Sequence, residues 1–161
     1  MRDVALPSAL LKDMKTHARE LYPDECCGFL ISNSVGTPEA SGRSVVALER
    51  ARNEFEGERG RRFLIPSSEL RDVERRRARE GAAVVGFYHS HPDHPARPSA
   101  FDQAHAWPWY SYIVLSVTST GEVAVGAFEL DPDSSTFQEV KLQIQDGAPD
   151  DASARPGRAR A

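Results

Sequence analysis

The chain is short of cysteine, of lysine and of long apolar runs, and each shortage narrows what it can be. Its only cysteines, Cys26 and Cys27, are adjacent. A disulfide between neighbours is strained and no third thiol is present, so a disulfide scaffold is excluded and a reducing, cytoplasmic setting is expected. No apolar run is long enough to span a bilayer. The opening Met-Arg-Asp-Val-Ala-Leu-Pro lacks the apolar core of a signal peptide. Lysine occurs only at Lys12, Lys15 and Lys141, and the remaining basic residues are arginine. A net charge of -4 gives no general attraction to nucleic acid or to an anionic membrane. With 161 residues, 40% of them apolar, one domain with a sizeable core is expected.

What is present alternates between helical and strand periods. Leu10, Leu11, Met14, Ala18 and Leu21 recur at helical spacing, so residues 8–21 read as a helix ended by Tyr22-Pro23. Residues 25–32 (E-C-C-G-F-L-I-S) read as a short buried strand and residues 43–49 as a second. The segment between them is rich in Ser, Gly and Pro, a hairpin-like connection. The charged stretch 50–62 has no apolar period and reads as a mobile loop. Phe63-Leu64-Ile65 reads as a brief strand. Pro66 and Ser67 then open an arginine-rich helix that closes near Gly81. Residues 82–89 (A-A-V-V-G-F-Y-H) form the clearest buried strand, and residues 99–107 a short helix stopped by Pro108. Strands are expected at 110–118, 122–130 and 136–144, with a turn at Ser119-Thr120-Gly121. Residues 1–145 therefore form the expected domain. Residues 146–161 hold no large apolar residue and read as a disordered tail. The interleaving without a regular βαβ period points to one mixed α/β sheet flanked by helices.

The chemistry is concentrated in H-S-H-P-D-H-P-A-R-P-S-A-F-D, residues 89–102. His89 and His91 stand two apart at the end of a strand, so both side chains fall on one face. Asp102 lies in the first turn of the helix that follows a proline-stiffened loop. Two imidazoles and a carboxylate suit zinc, and three protein ligands leave a fourth position for water, as in catalytic sites; iron, manganese or cobalt would accept the same donors. Ser99 with Asp102 also has the spacing of a capping pair. A Ser99 hydroxyl can accept from a backbone N–H and still donate to a developing oxyanion.

H-S-H-P-x6-S-x-x-D resembles the JAMM motif of the MPN+ metallopeptidases, and E-C-C-G-F-L resembles the segment that carries the upstream glutamate of that family. The order of elements from Ser8 to Leu130 is similar to short prokaryotic members (Mec-like, Prok-JAB). The resemblance implies a curved mixed sheet flanked by helices, cytidine-deaminase-like, and one zinc ion held by His89, His91 and Asp102. It also implies Glu25 as general acid/base and Ser99 as support for the tetrahedral intermediate. Zinc would lower the pKa of its water and Glu25 would accept the proton. The implied reaction is amide hydrolysis at the Gly-Gly tail of a ubiquitin-like protein, a sulfur carrier above all, with release of cysteine or a short peptide. A deubiquitinase-like isopeptidase and a non-catalytic MPN scaffold are the alternatives.

The remaining candidates read more plainly. Asn53 and Phe55, in the charged loop, are candidate contacts for the tail. His94 reads as a surface residue near the site, and His17 and His105 as helix residues with solvent or packing roles. Cys26 and Cys27 face opposite sides of a strand, so at most one could reach the ion. Trp107 and Trp109 read as core or sheet-edge packing. Oligomeric state is not legible.

Overall fold

The computed structural model describes residues 2–33, 43–53, 57 and 64–147. Its elements run β1 (Val4–Pro7), α1 (Ser8–Leu21), β2 (Cys27–Ser32), β3 (Arg43–Ser44), β4 (Ala47–Ala51), α2 (Ser67–Arg79), β5 (Ala83–Pro92), α3 (Ala100–His105), β6 (Ser111–Val117), β7 (Val123–Leu130), β8 (Phe137–Val140) and β9 (Leu142–Gln145). The architecture is the expected mixed α/β. A six-stranded sheet has the order β4-β2-β5-β6-β7-β8, and a three-stranded sheet the order β3-β1-β9.

Within the larger sheet β5 and β6 are parallel, while the other neighbours are antiparallel. A parallel pair needs a crossover connection. That crossover carries α3, which is why a helix stands beside the end of β5.

The period of two along β2 sorts its side chains between two cores, and β5 follows it on either side of a register shift opposite Leu30 and Ile31. Cys26, Leu30, Val85 and Tyr88 join the core under α1, together with Leu10, Met14 and Ala18. Cys27, Phe29, Ile31, Val84 and Phe87 join the core under α2, together with Leu70 and Val73. The two cysteines thus face opposite sides, as their adjacency in a strand requires. Gly28 is needed on the first face because a Cβ there would lie 2.3 Å from the Tyr88 ring.

The structure departs from the sequence reading where strands change sheet. The strand expected at 43–49 is two pieces: β3 pairs with β1, and β4 pairs with β2. The strand expected at 136–144 divides in the same way at Lys141 into β8 on the larger sheet and β9 on the smaller. Leu64 and Ile65 lie outside any strand, and Phe63 lies outside the described residues. β1 was not anticipated. Leu21 is exposed, and His17 takes its place in the buried stripe of α1. Arg50 and Ala51 belong to β4; of the rest of the stretch read as a mobile loop, residues 54–56 and 58–62 lie outside the described residues, as do 34–42 and 148–161. Asp146 and Gly147, placed in the tail by composition, are described. The Gly147 carbonyl accepts from the Ala9 N–H at 3.2 Å, satisfying one of the unpaired donors at the start of α1.

Buried ions tie the two sheets together. Arg2, from the segment before β1, pairs with Glu129 of β7. Arg43 of β3 donates to the Val85 carbonyl and to Ser111 Oγ at 2.5 and 3.0 Å, and also to the Trp109 carbonyl. Trp109 is 41% exposed, with the Arg2 guanidinium 5.7 Å from its ring centre, so it packs at an edge as expected.

His17 shares a hydrogen bond of 2.8 Å with the Tyr88 hydroxyl inside the α1 core. Burial first, and then the Arg50 charge, push its pKa down to about 4, against a smaller opposing effect of Glu20. In the unfolded chain the ring takes up its proton near pH 6.5, so between there and about 4 the unfolded state binds more protons. This contribution to stability is therefore complete above pH 6.5 and is lost as pH falls, by up to about 1.4 kcal/mol per pH unit. Chemical denaturation across this window should show a shallower pH slope for His17→Gln than for the parent; identical slopes would contradict the assignment.

Candidate metal centre

β5 delivers His89 and His91 to the face shared with Phe87, as parity requires. The loop of residues 93–99 then turns back. It is anchored by the Asp93 N–H on the Val117 carbonyl at 2.8 Å and by the Tyr22 hydroxyl on Asp93 at 2.5 Å. It lies close over β7: a Cβ on Gly126 would stand 2.9 Å from the Ala96 carbonyl. A glycine inside a strand pattern is the usual signal of such a close approach, and it went unread in the sequence.

Ser99 caps α3 in a full capping box. Its Oγ accepts from the Asp102 N–H at 3.1 Å, and its own N–H donates to Asp102 Oδ2 at 2.8 Å. The reciprocal bonds hold the Asp102 carboxylate in one orientation. Its Oδ2 lies 3.1 Å from His89 Nε2 and 3.0 Å from His91 Nε2, and the two Nε2 atoms are 3.1 Å apart. Donors around a tetrahedral zinc ion stand about 3.3 Å from one another. The expected ligand set is thus brought together with close to the required spacing.

The donor set itself argues for a cation. His91 Nδ1 is 2.9 Å from the Pro95 carbonyl, which can only accept. That bond puts the ring proton on Nδ1 and leaves a lone pair on Nε2. His91 Nε2 and Asp102 Oδ2 then face each other at 3.0 Å with lone pairs, which is unfavourable unless a proton or a cation sits between them. The same field shows in the protonation equilibria. Burial opposes the charge on Asp102, but His89, His91 and the Ser99 N–H outweigh it and hold the carboxyl well below the usual range. His89 is pushed down, first by its complete burial. Burial also works against His91, but the Asp102 and Pro95 hydrogen bonds and nearby negative charge leave it raised.

Glu25 approaches the same histidines from β2. Cys27 pairs with His89, and the Ser90 N–H reaches the Cys26 carbonyl at 3.0 Å while Ser90 Oγ accepts from the Cys26 N–H at 2.8 Å. Continuing that antiparallel register sets Glu25 opposite His91, on the parity of Cys27. Glu25 is 2% exposed, and its carboxylate and the two imidazoles offer atoms all within 4.8 Å of one another. Asp102 forms the tighter triangle. A ligand must stand about 2 Å from zinc, whereas a proton acceptor works across one water. Asp102 Oδ2, at 3.0–3.1 Å from both rings, has the spacing of a ligand, and Glu25 lies within reach of one water.

Open space lies on both sides of the pair. An apolar recess of about 280 Å³ is bounded by Ile65, Phe87, His89, Phe101, Asp102 and Trp107. A wider groove of about 620 Å³ is bounded by Glu25, His91, His94, Arg97, Pro98 and Ser99. The other sequence candidates have separate places. Asn53 is buried and its Oδ1 accepts from the Leu64 N–H at 3.1 Å, bracing that loop; Phe55 lies outside the described residues. Cys26 is buried on the opposite face, and its thiol is pushed up to about 11 by burial. His105 stacks on Phe101 in α3.

A family model described as prokaryotic homologs of the JAB domain matches residues 7–130. The chain belongs to this family. Its curated relatives include a desampylase from Haloferax volcanii, 35% identical over 106 residues that make up 63% of this chain and 71% of that one. Similar solved structures include a protein from Desulfitobacterium hafniense (25% identity, 90% of this chain and 94% of that one, TM-score 0.75). Another is from Salinibacter ruber (34% identity, 93% and 95% covered, TM-score 0.63). A JAB1/MPN domain protein from Archaeoglobus fulgidus matches at 18% identity, with 89% and 97% covered and a TM-score of 0.50, a likeness of fold.

In this Prok-JAB domain Asp102→Asn keeps an oxygen for the Ser99 N–H, so the capping box survives in part. Zinc titration should show affinity weakened about a hundredfold or more, the scale set by losing even an outer partner of a ligand, with little change in melting temperature. Unchanged affinity would remove Asp102 from the ligand set.

Proposed function

We propose that this chain is a zinc-dependent peptidase or isopeptidase that hydrolyses an amide bond at the Gly-Gly tail of a ubiquitin-like protein, in particular a sulfur carrier. The observation that carries this reading is the triangle of His89, His91 and Asp102 at 3.0–3.1 Å, with Glu25 buried beside it. The desampylase relative supports a ubiquitin-like substrate by its name. Two free, buried cysteines suit a reducing cytoplasm. Among the described residues no helix is long and apolar enough to cross a membrane.

His89, His91 and Asp102 would hold the metal. Zinc bound there supplies Lewis acidity and an acidified water. Glu25, at the groove, takes up a proton and returns it to the departing amine. Ser99 uses its oxygen lone pair as a cap on α3, and its O–H remains to donate to the oxygen that gains charge. The Pro95 carbonyl keeps His91 in one tautomer. Glycines beside the scissile bond bring no side chains into the space between Glu25 and Asp102. Asn53 and Phe55 are proposed contacts for the tail.

Two variants separate these roles. Glu25→Gln should retain one zinc per chain and lose hydrolysis of a Gly-Gly-tailed carrier; undiminished hydrolysis would exclude Glu25 as the proton carrier. Ser99→Ala should lose about 1 kcal/mol of stability with its cap and about a hundredfold or more in kcat with its donor. A variant that loses stability but keeps its turnover would leave Ser99 as a cap alone.

A further inference from the structure

The groove on the Glu25 side carries two side chains that the hydrolytic mechanism does not use, His94 and Arg97. Both are exposed, and neither side chain has a hydrogen bond or ion pair among the described residues. That separates Arg97 from arginines that the fold employs. Arg2 is paired with Glu129, Arg50 with Glu20, and Arg76 and Arg77 with Glu49, while Arg43 binds carbonyls.

The backbone that presents these two residues is well braced. Pro95 offers its carbonyl both to His91 Nδ1 at 2.9 Å and to the Arg97 N–H at 2.8 Å. Ala96 is seated over Gly126, and Asp93 is held by Val117 and Tyr22. Pro95 and Pro98 flank Arg97 and restrict the chain further. Arg97 thus starts from a backbone position tied to His91. Negative groups also border this region. Glu25 faces the groove, and Asp93 is engaged by Tyr22. An anion would therefore settle at the rim with Arg97 and His94, away from the Glu25 carboxylate.

We propose that Arg97, with His94 beside it, is a specificity residue that binds the free α-carboxylate of the amino acid released by hydrolysis. This rests on the hydrolytic reading above. Glu25 can return a proton to the departing nitrogen only if that nitrogen leaves on its side, and its side is this groove. The scissile C–N bond breaks, the hydroxyl of water goes to the acyl carbon, and the proton goes to the amine. In a single C-terminal residue the carboxylate is two bonds from that nitrogen, so the groove that takes the amine also takes the charge. A guanidinium reads a carboxylate with two parallel hydrogen bonds, and the imidazole adds a third donor. The substrate class is then a tail extended by one residue with a free carboxylate. A tail joined to a lysine side chain carries no such group next to the scissile nitrogen.

Binding tests the subsite apart from activity. Acetyl-Gly-Gly-Ala as free acid, the same peptide as C-terminal amide, and acetyl-Gly-Gly-Asp-amide are titrated into the full chain carrying Glu25→Gln, which prevents turnover. The free acid should bind about tenfold or more tighter than the amide, the scale of a charge-assisted contact. Adding Arg97→Gln should abolish that preference, and Arg97→Lys should restore only part of it. Equal binding of acid and amide, or a preference that survives Arg97→Gln, would overturn the proposal. Asp-amide binding as tightly as the free acid would overturn the assignment to the α-carboxylate. Hydrolysis by the chain with Glu25 intact is then measured on the same peptides. The free acid should be cleaved with the higher kcat/KM, and Arg97→Gln should bring it to the level of the amide. If no peptide is cleaved while the binding preference stands, the hydrolytic reading fails and the carboxylate subsite remains.

Discussion

The central constraint is electrostatic: two imidazole nitrogens and a carboxylate oxygen, which need a proton or a cation among them, are held within 3.1 Å of one another. Such a cluster is unfavourable in isolation, since each partner is largely removed from water and at least one ring has its proton committed elsewhere. The fold nevertheless builds it with support on every side. Strand parity turns both histidines to one face, the capping box orients Asp102, and the Pro95 carbonyl selects the tautomer of His91. These are outer contacts of the kind that fix the geometry of metal ligands. A positive ion among the three atoms turns their mutual repulsion into attraction.

The rest of the structure serves that arrangement by making β5 rigid. Its flanks are β2, antiparallel, and β6, parallel. The parallel pairing forces a crossover, and the crossover supplies both the loop that carries Pro95 and the helix that carries Asp102. Ser90, between the two histidines and pointing the other way, is not spare: it binds the backbone of Cys26 and so fixes the residue next to Glu25. One strand therefore positions ligands on one face and, through the other face, the carboxylate beside them. Two glycines complete the close fit, Gly28 against the Tyr88 ring and Gly126 under Ala96.

Much of this was legible because it is local. The spacing of His89 and His91, the buried run before them and the cap-like Ser99 and Asp102 are all contained in about twenty residues, where strand and helix periods act directly. Glu25 could be placed only by resemblance, since its partnership with His91 depends on the register of β2 against β5, and register is a non-local property. The strands that divide between sheets were read as continuous for a related reason. At residues 45–46 and at Lys141 the chain changes partner without a glycine or proline to mark it, and Val45 is as buried as its neighbours in a strand would be. His17 shows the converse, a polar residue in an apolar stripe whose burial depends on the distant Tyr88 hydroxyl. The charged loop has no period to read, so the bond of Asn53 to the Leu64 N–H had no local signal.

The most direct measurement of the central claim is X-ray absorption at the zinc edge on the zinc-loaded chain. A zinc ion on His89, His91 and Asp102 should give a nitrogen and oxygen shell near 2.0–2.1 Å, roughly four atoms with two of them imidazole. Sulfur at about 2.3 Å would place Cys26 or Cys27 in the coordination and contradict it. So would a zinc ion that shows no imidazole scattering.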